Sequence, residues 1–116
     1  MKIVLPNEKP ISWNKLYSGK HWSVRYEEAT RVHLLVKAAL GNVSLLQNRV
    51  DILITVFFGG RDLDPDNIAS KFYIDGLKDL LIEDDTRKQV RWVATRSEID
   101  KKNPRVEIEI QNVLEN

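Results

Sequence analysis

The chain has 116 residues, 42% hydrophobic and 30% charged, with a formal net charge of +1 and no cysteine. That length makes one domain, and that balance fits neither a disordered nor a membrane-spanning chain, since no apolar run approaches the roughly 20 residues of a transmembrane helix. The missing thiols exclude a disulfide scaffold, a thiol nucleophile and a thiolate zinc site; with an opening apolar run (Ile3 to Pro6) too short for a signal peptide, they fit a cytoplasmic location.

Ile3 to Leu5 reads as a short first strand, and Pro6 to Lys20 as a loop rich in proline, asparagine and a Ser-Gly pair. Val24 to Leu40 reads as a helix with Val32, Leu35 and Ala39 at helical spacing and Gly41 as its stop. Arg49 to Phe58 is a strand with Val50, Ile52, Ile54, Val56 and Phe58 on one face and Leu53 and Phe57 on the other, the pattern of a central strand. Gly59-Gly60 ends it. A loop from Asp62 to Asp66 leads into a predicted helix over 65–81, and residues 82–86 turn. Gln89 to Thr95 is a strand with Val90, Trp92 and Ala94 on one face. Arg105 to Ile110 alternates Val106, Ile108 and Ile110 with charged residues, a half-buried strand reached through a hairpin at 101–104. No repeat or linker divides the chain. The expectation is an α/β or α+β domain: a small mixed sheet of about four strands with two main helices packed on it.

Charge is unevenly spread. Residues 1–61 carry nine Lys/Arg against four Asp/Glu, residues 62–85 eight acids against two lysines, and residues 86–116 seven basic against five acidic residues. An acidic island in a basic chain suits a polyanion-binding surface with a metal site inside it, and equally a solvated acidic loop and helix. The island opens with Arg61-Asp62-Leu63-Asp64-Pro65-Asp66-Asn67. Three carboxylates in five residues repel one another unless a cation neutralises them. Oxygen donors without cysteine favour Mg²⁺ or Mn²⁺ over zinc. Helix capping is the rival explanation: Asp64 before Pro65 fits an N-cap followed by proline at the first helical position, with Asp66 favoured by the helix dipole. An EF-hand fails, because its sixth position is Asn67 and its twelfth Tyr73.

On a helical wheel Asn67, Lys71, Asp75 and Lys78 form a polar stripe, opposite Phe72, Tyr73, Ile74, Leu77, Leu80 and Leu81. Lys71 is placed either to meet a phosphate oxygen or simply to pair with Asp75. Glu83-Asp84-Asp85 forms a second acidic cluster, followed by Arg87 and Lys88.

These residues resemble the RusA-type Holliday junction resolvases. The resemblance rests on Asp64-x-Asp66-Asn67, Lys71, Asp75-x-Leu77, Asp84-Asp85 with Val90 following, and the opening Pro10-x-Ser12-x-Asn14, and it spans roughly residues 6–110. It implies a RusA-like single domain and metal-dependent cleavage of paired strands at four-way DNA junctions, in DNA recombination and repair. Metal-binding carboxylates fall on Asp64, Asp66 and Asp85, and the essential lysine on Lys71. That lysine follows Asn67 by four residues, where the family's familiar form has three. Asp62, Asn67, Asp75 and Asp84 are expected to support the site. Phosphate contacts are expected from Asn14, Lys15, Lys20, Arg25, Arg87, Lys88, Arg91 and Arg96. Trp13, Tyr17 and Trp22 either stack on exposed bases or anchor their loop in the core. His21 and His33 are expected to be bystanders. One acidic constellation per chain and two symmetric cuts per junction imply a homodimer. A helix over 65–81 would be about 25 Å long, holding Asp64 and Asp85 apart; an antiparallel dimer sharing its sites is the expected remedy. Two other readings stay open: a branched-DNA-binding protein that does not cut, and a metal-stabilised structural protein.

Overall fold

A computed structural model describes residues 1–19 and 22–114. The chain runs β1 (Lys2–Pro6), α1 (Trp13–Leu16), α2 (Trp22–Leu40), β2 (Val50–Phe58), a 3₁₀ turn (Pro65–Asn67), α3 (Lys71–Leu77), β3 (Val90–Ile99) and β4 (Arg105–Asn112). The four strands form one mixed sheet in the order β1-β4-β2-β3, with β2 and β3 parallel and the other pairs antiparallel. The expected architecture, a small α+β domain with a central second strand, is what the chain adopts.

Register explains the core. Ile52, Ile54 and Val56 of β2 stand opposite Ile110, Ile108 and Val106 of β4, whose Ile108 and Val106 meet Ile3 and Leu5 of β1. All of these are buried, in one cluster with Val32, Val36, Phe72, Tyr73 and Leu77 from the helices. Alternation turns the other face of β2 toward charged neighbours: Thr55 opposes Glu107 and Phe57 opposes Arg105.

Several sequence expectations need correction. The buried seam of α2 is Val32, Val36 and Leu40, so Leu35 and Ala39 lie outside it. The loop before α2 contains α1, whose first turn is capped by Ser12: its Oγ accepts the Lys15 N–H at 3.0 Å. The strand register shifts between Val50 and Asp51, so Val90 is buried while Trp92, two residues on, pairs with Asp51 and is 43% exposed. Residues 101–104 are not a hairpin. β3 and β4 flank β2 on opposite sides, so the connection crosses over the C-terminal end of β2. Asp100 shapes it by accepting the Lys102 and Asn103 N–H groups at 3.2 and 3.1 Å, and a Cβ on Gly59 would come within 3.2 Å of Pro104.

The largest departure is the helix predicted over 65–81. Its start is drawn out by pairing with the N-terminal loop: Ile68 bridges to Ser12, and the Ala69 N–H donates to the Ile11 carbonyl at 3.1 Å. Ile68 is accordingly extended, and α3 begins only at Lys71. It ends at Leu77 because Lys78 turns extended and Asp79 takes a positive φ of 67°. The seven-residue α3 is about 10 Å long. It packs against α2, with Gly76 placed where a side chain would meet Val36 at 3.1 Å.

Candidate functional site

The acidic loop leaves the C-terminal end of β2 through Gly59-Gly60 and turns back along β3. Asp64 is extended (φ −64°, ψ 149°), and Pro65 opens the 3₁₀ turn, closed by the Asn67 N–H to the Asp64 carbonyl at 2.9 Å. Two bonds fix this turn. Thr95 Oγ1 of β3 donates to the Pro65 carbonyl at 2.5 Å. The Asn14 N–H donates to Asn67 Oδ1 at 3.0 Å. Ser12, Asn14, Asp64, Asp66 and Asn67, which lie in two distant stretches of sequence, are therefore held in one neighbourhood.

The capping explanation of the aspartates predicts a bond from the Asp64 side chain to a backbone N–H. Asp64 does occupy the N-cap position, but its side chain makes no cap bond. Asp62, Asp64 and Asp66 are exposed, as is Asp85, and among the described residues no hydrogen bond or ion pair engages their carboxylates. The backbone places these acids without using them.

The second cluster has a different anchor. The buried Gln89, just before β3, accepts the Glu83 and Asp84 N–H groups at 2.9 and 3.0 Å through Oε1, while its Nε2 donates to the Leu46 carbonyl at 2.7 Å. Asp84 holds its own turn by accepting the Thr86 N–H at 2.8 Å. Hydrogen bonds from the Thr86 hydroxyl and backbone keep the Asp84 carboxyl below its usual range. Both acidic segments are thus tied to β3, the first through Thr95 and the second through Gln89.

The polar stripe drawn on the longer helix shrinks to Lys71 and Asp75. Asn67 lies in the 3₁₀ turn and Lys78 caps α3. Lys71 Nζ stands 3.3 Å from Asp75 Oδ2, an exposed i, i+4 pair. Such a pair is worth a few tenths of a kcal/mol, about 0.3–0.5, so it holds Lys71 only weakly. The short α3 also removes the helix-length argument for a site shared between subunits.

Chemically, the loop carboxylates suit a hard divalent cation, which needs only one or two carboxylates beside water and substrate oxygens when it is Mg²⁺. Among the described residues no three Asp, Glu or His side chains lie close enough to form a finished ligand set.

The expected phosphate contacts divide. Lys15, Arg87 and Lys88 are exposed. Lys15 also lines a cleft of about 930 Å³ at the end of β2, with Lys9, Arg31, Arg61 and Lys101, and with Asp62 on its wall. Arg96 lies 3.8 Å from Glu98, both exposed. Asn14 serves through its backbone. Arg25 sits over the Tyr17 ring, 5.1 Å from its centroid. Arg91 is a correction: its guanidinium grips the buried Asp51 in two bonds of 2.9 and 2.6 Å, so its first role is structural. Lys20 and His21 lie outside the described residues, and His33 is exposed on α2.

Sequence reasoning missed Thr95 and Gln89, whose roles depend on partners far along the chain. It also missed Glu8, buried where Arg31 Nη1 meets it at 2.7 Å and the Tyr73 hydroxyl donates at 3.1 Å. That cluster fastens the N-terminal loop to α2 and α3. No protein-family model, curated protein or solved structure matches the chain.

Proposed function

We propose that this chain is a metal-dependent, structure-specific endodeoxyribonuclease that resolves four-way DNA junctions by paired phosphodiester cleavage, acting as a homodimer. The observation that carries the reading is the set of carboxylates on the proline-fixed turn, which Thr95 and Asn14 hold in place, with no hydrogen bond or ion pair to the carboxylates among the described residues. Acids positioned by the backbone and left without a structural partner are what a cation-binding site requires, and they lie in an otherwise basic chain. The motif resemblance supplies the reaction.

In this reading Asp64 and Asp66 would hold Mg²⁺ or Mn²⁺; Asp85, the third carboxylate that the resemblance implies, does not stand with them as a ready set of three among the described residues. A cation held there would supply a lowered pKa for water and charge stabilisation on the phosphate oxygens. Lys71, released from Asp75, supplies positive charge to the phosphate as negative charge develops. Asn67 holds the turn to the N-terminal loop, and Asp84 shapes the turn that presents Asp85. Lys15, Arg87, Lys88 and Arg96 bind the DNA backbone, making affinity steeply dependent on salt. Each chain carries one such constellation, and two symmetric cuts take two chains.

The test is a labelled synthetic four-way junction incubated with and without Mg²⁺. Wild type is expected to cut symmetrically only with metal, and Asp66→Asn to bind without cutting. Metal-independent binding with no cleavage by wild type would leave a branched-DNA-binding protein; no binding at low salt would remove the nucleic-acid role altogether.

A further inference from the structure

Residues 9–26 contain four of the nine aromatic residues, four basic residues and no acid. The fold brings Trp13, Tyr17 and Arg25 of this stretch together. Trp13 and Tyr17 stack with ring centroids 5.7 Å apart and planes inclined by 9°, and Arg25 lies over the Tyr17 ring. On α2, Trp22, Arg25 and Tyr26 are spaced i, i+3 and i+4, so they share a face. That face continues the stripe of Ala29, Val32 and Val36 toward the helix N-terminus. Those three pack in the core, whereas Tyr17, Trp22 and Tyr26 are 64%, 69% and 67% exposed. The first turn of α2 overhangs the core and presents to solvent side chains whose positions would otherwise be inward. Among the described residues no hydrogen bond or ring contact engages the Tyr26 side chain.

Single exposed aromatics are ordinary, but three large ones grouped around an arginine form a surface with a purpose. The patch adjoins the acidic loop: Trp13 precedes Asn14, whose N–H bonds Asn67. We infer that Trp22, Tyr26 and the Arg25 guanidinium form a stacking platform for unpaired nucleobases of DNA, with Tyr17 and Trp13 as the layer that supports Arg25. Flat rings accept any base, and the acid-free basic stretch attracts the phosphates on either side. The proposal rests on the nucleic-acid reading above only for its biological setting, since the platform binds any unstacked base, including one splayed at a branch point.

The experiment measures, by fluorescence anisotropy, binding of a labelled oligothymidylate and of an abasic strand of the same length, which keeps the phosphates and lacks the bases. Wild type is expected to prefer the thymidine strand by roughly tenfold or more, the scale of one stacked base. Tyr26→Ala and Trp22→Ala should each remove most of that preference, leave abasic binding and its salt slope unchanged, and keep the circular dichroism spectrum of the wild type. Tyr26→Phe should restore it, because the ring rather than the hydroxyl stacks. Equal affinity for the two strands overturns the proposal. So does tight binding to vesicles of anionic lipid that the alanine variants abolish without altering DNA binding, which would make the patch a membrane contact. The two readings fail separately. Mg²⁺-dependent junction cleavage with no preference for thymidine removes the platform and keeps the nuclease. A strong preference without junction cleavage does the reverse.

Discussion

Tyr73→Phe tests how the N-terminal loop is fastened beneath the candidate site. Tyr73 is 1% exposed, and its hydroxyl donates to Glu8 Oε2 at 3.1 Å. Glu8 is 5% exposed and also accepts from Arg31 at 2.7 and 3.2 Å and from the Lys9 N–H at 2.9 Å. Losing the hydroxyl removes one bond to a charged acceptor but leaves Glu8 with its other donors, so the cost falls at the low end for such bonds, about 1.5 kcal/mol. For a domain of this size that is a fall in Tm of roughly 6 °C. A pH signature accompanies it. Burial first, and then the Glu8 charge, push the Tyr73 hydroxyl far above its ordinary value of 10.0. The folded state keeps the proton while the unfolded chain loses it. The contribution is therefore complete below pH 10 and lost as pH rises further, by about 1.4 kcal/mol per unit. The gap between wild type and Tyr73→Phe, measured by urea denaturation, should be about 1.5 kcal/mol at pH 7 and close near pH 11. A gap that stays constant across that range refutes the assignment of a neutral, buried donor to Glu8.

Glu107 gives the opposite dependence. The Arg105 hydrogen bond, aided by Lys2, holds its carboxyl below the ordinary 4.5, so its contribution is present above that pH and disappears as pH falls through the lowered value; Glu107→Gln should flatten the acid limb of stability below pH 4.5. Gly59→Ala should cost about 1–2 kcal/mol in chemical denaturation, because the added methyl meets the rigid Pro104 ring at 3.2 Å. Asp64→Asn and Asp66→Asn should leave stability within about 0.5 kcal/mol of wild type, as these carboxylates hold no bonds among the described residues. In wild type, millimolar Mg²⁺ should raise Tm, and the two variants should lose that rise.

The sequence by itself determined the strands, the long helix and the class of fold. The two-faced apolar run of 50–58, the strict alternation of 105–110 and the polar connections between elements express only local stereochemistry and the drive to bury apolar faces, and both are written residue by residue. It also marked the acidic loop, because three carboxylates around one proline are conspicuous in any context. Partners distant along the chain decided the rest. Ile68 and Ala69 have helical company in the sequence, yet Ile11 and Ser12 draw them into extended pairing, and a helix read as 17 residues becomes one of seven. The hairpin expected at 101–104 became a crossover because β2, assembled from residues half a chain away, lies between β3 and β4. The same cause explains why Arg91, a free cation on paper, is bound to Asp51, and why Trp22 and Tyr26 lie at inward positions of α2 that no core reaches. Local rules specify which face an element wishes to bury. Only the packed chain decides what stands opposite it.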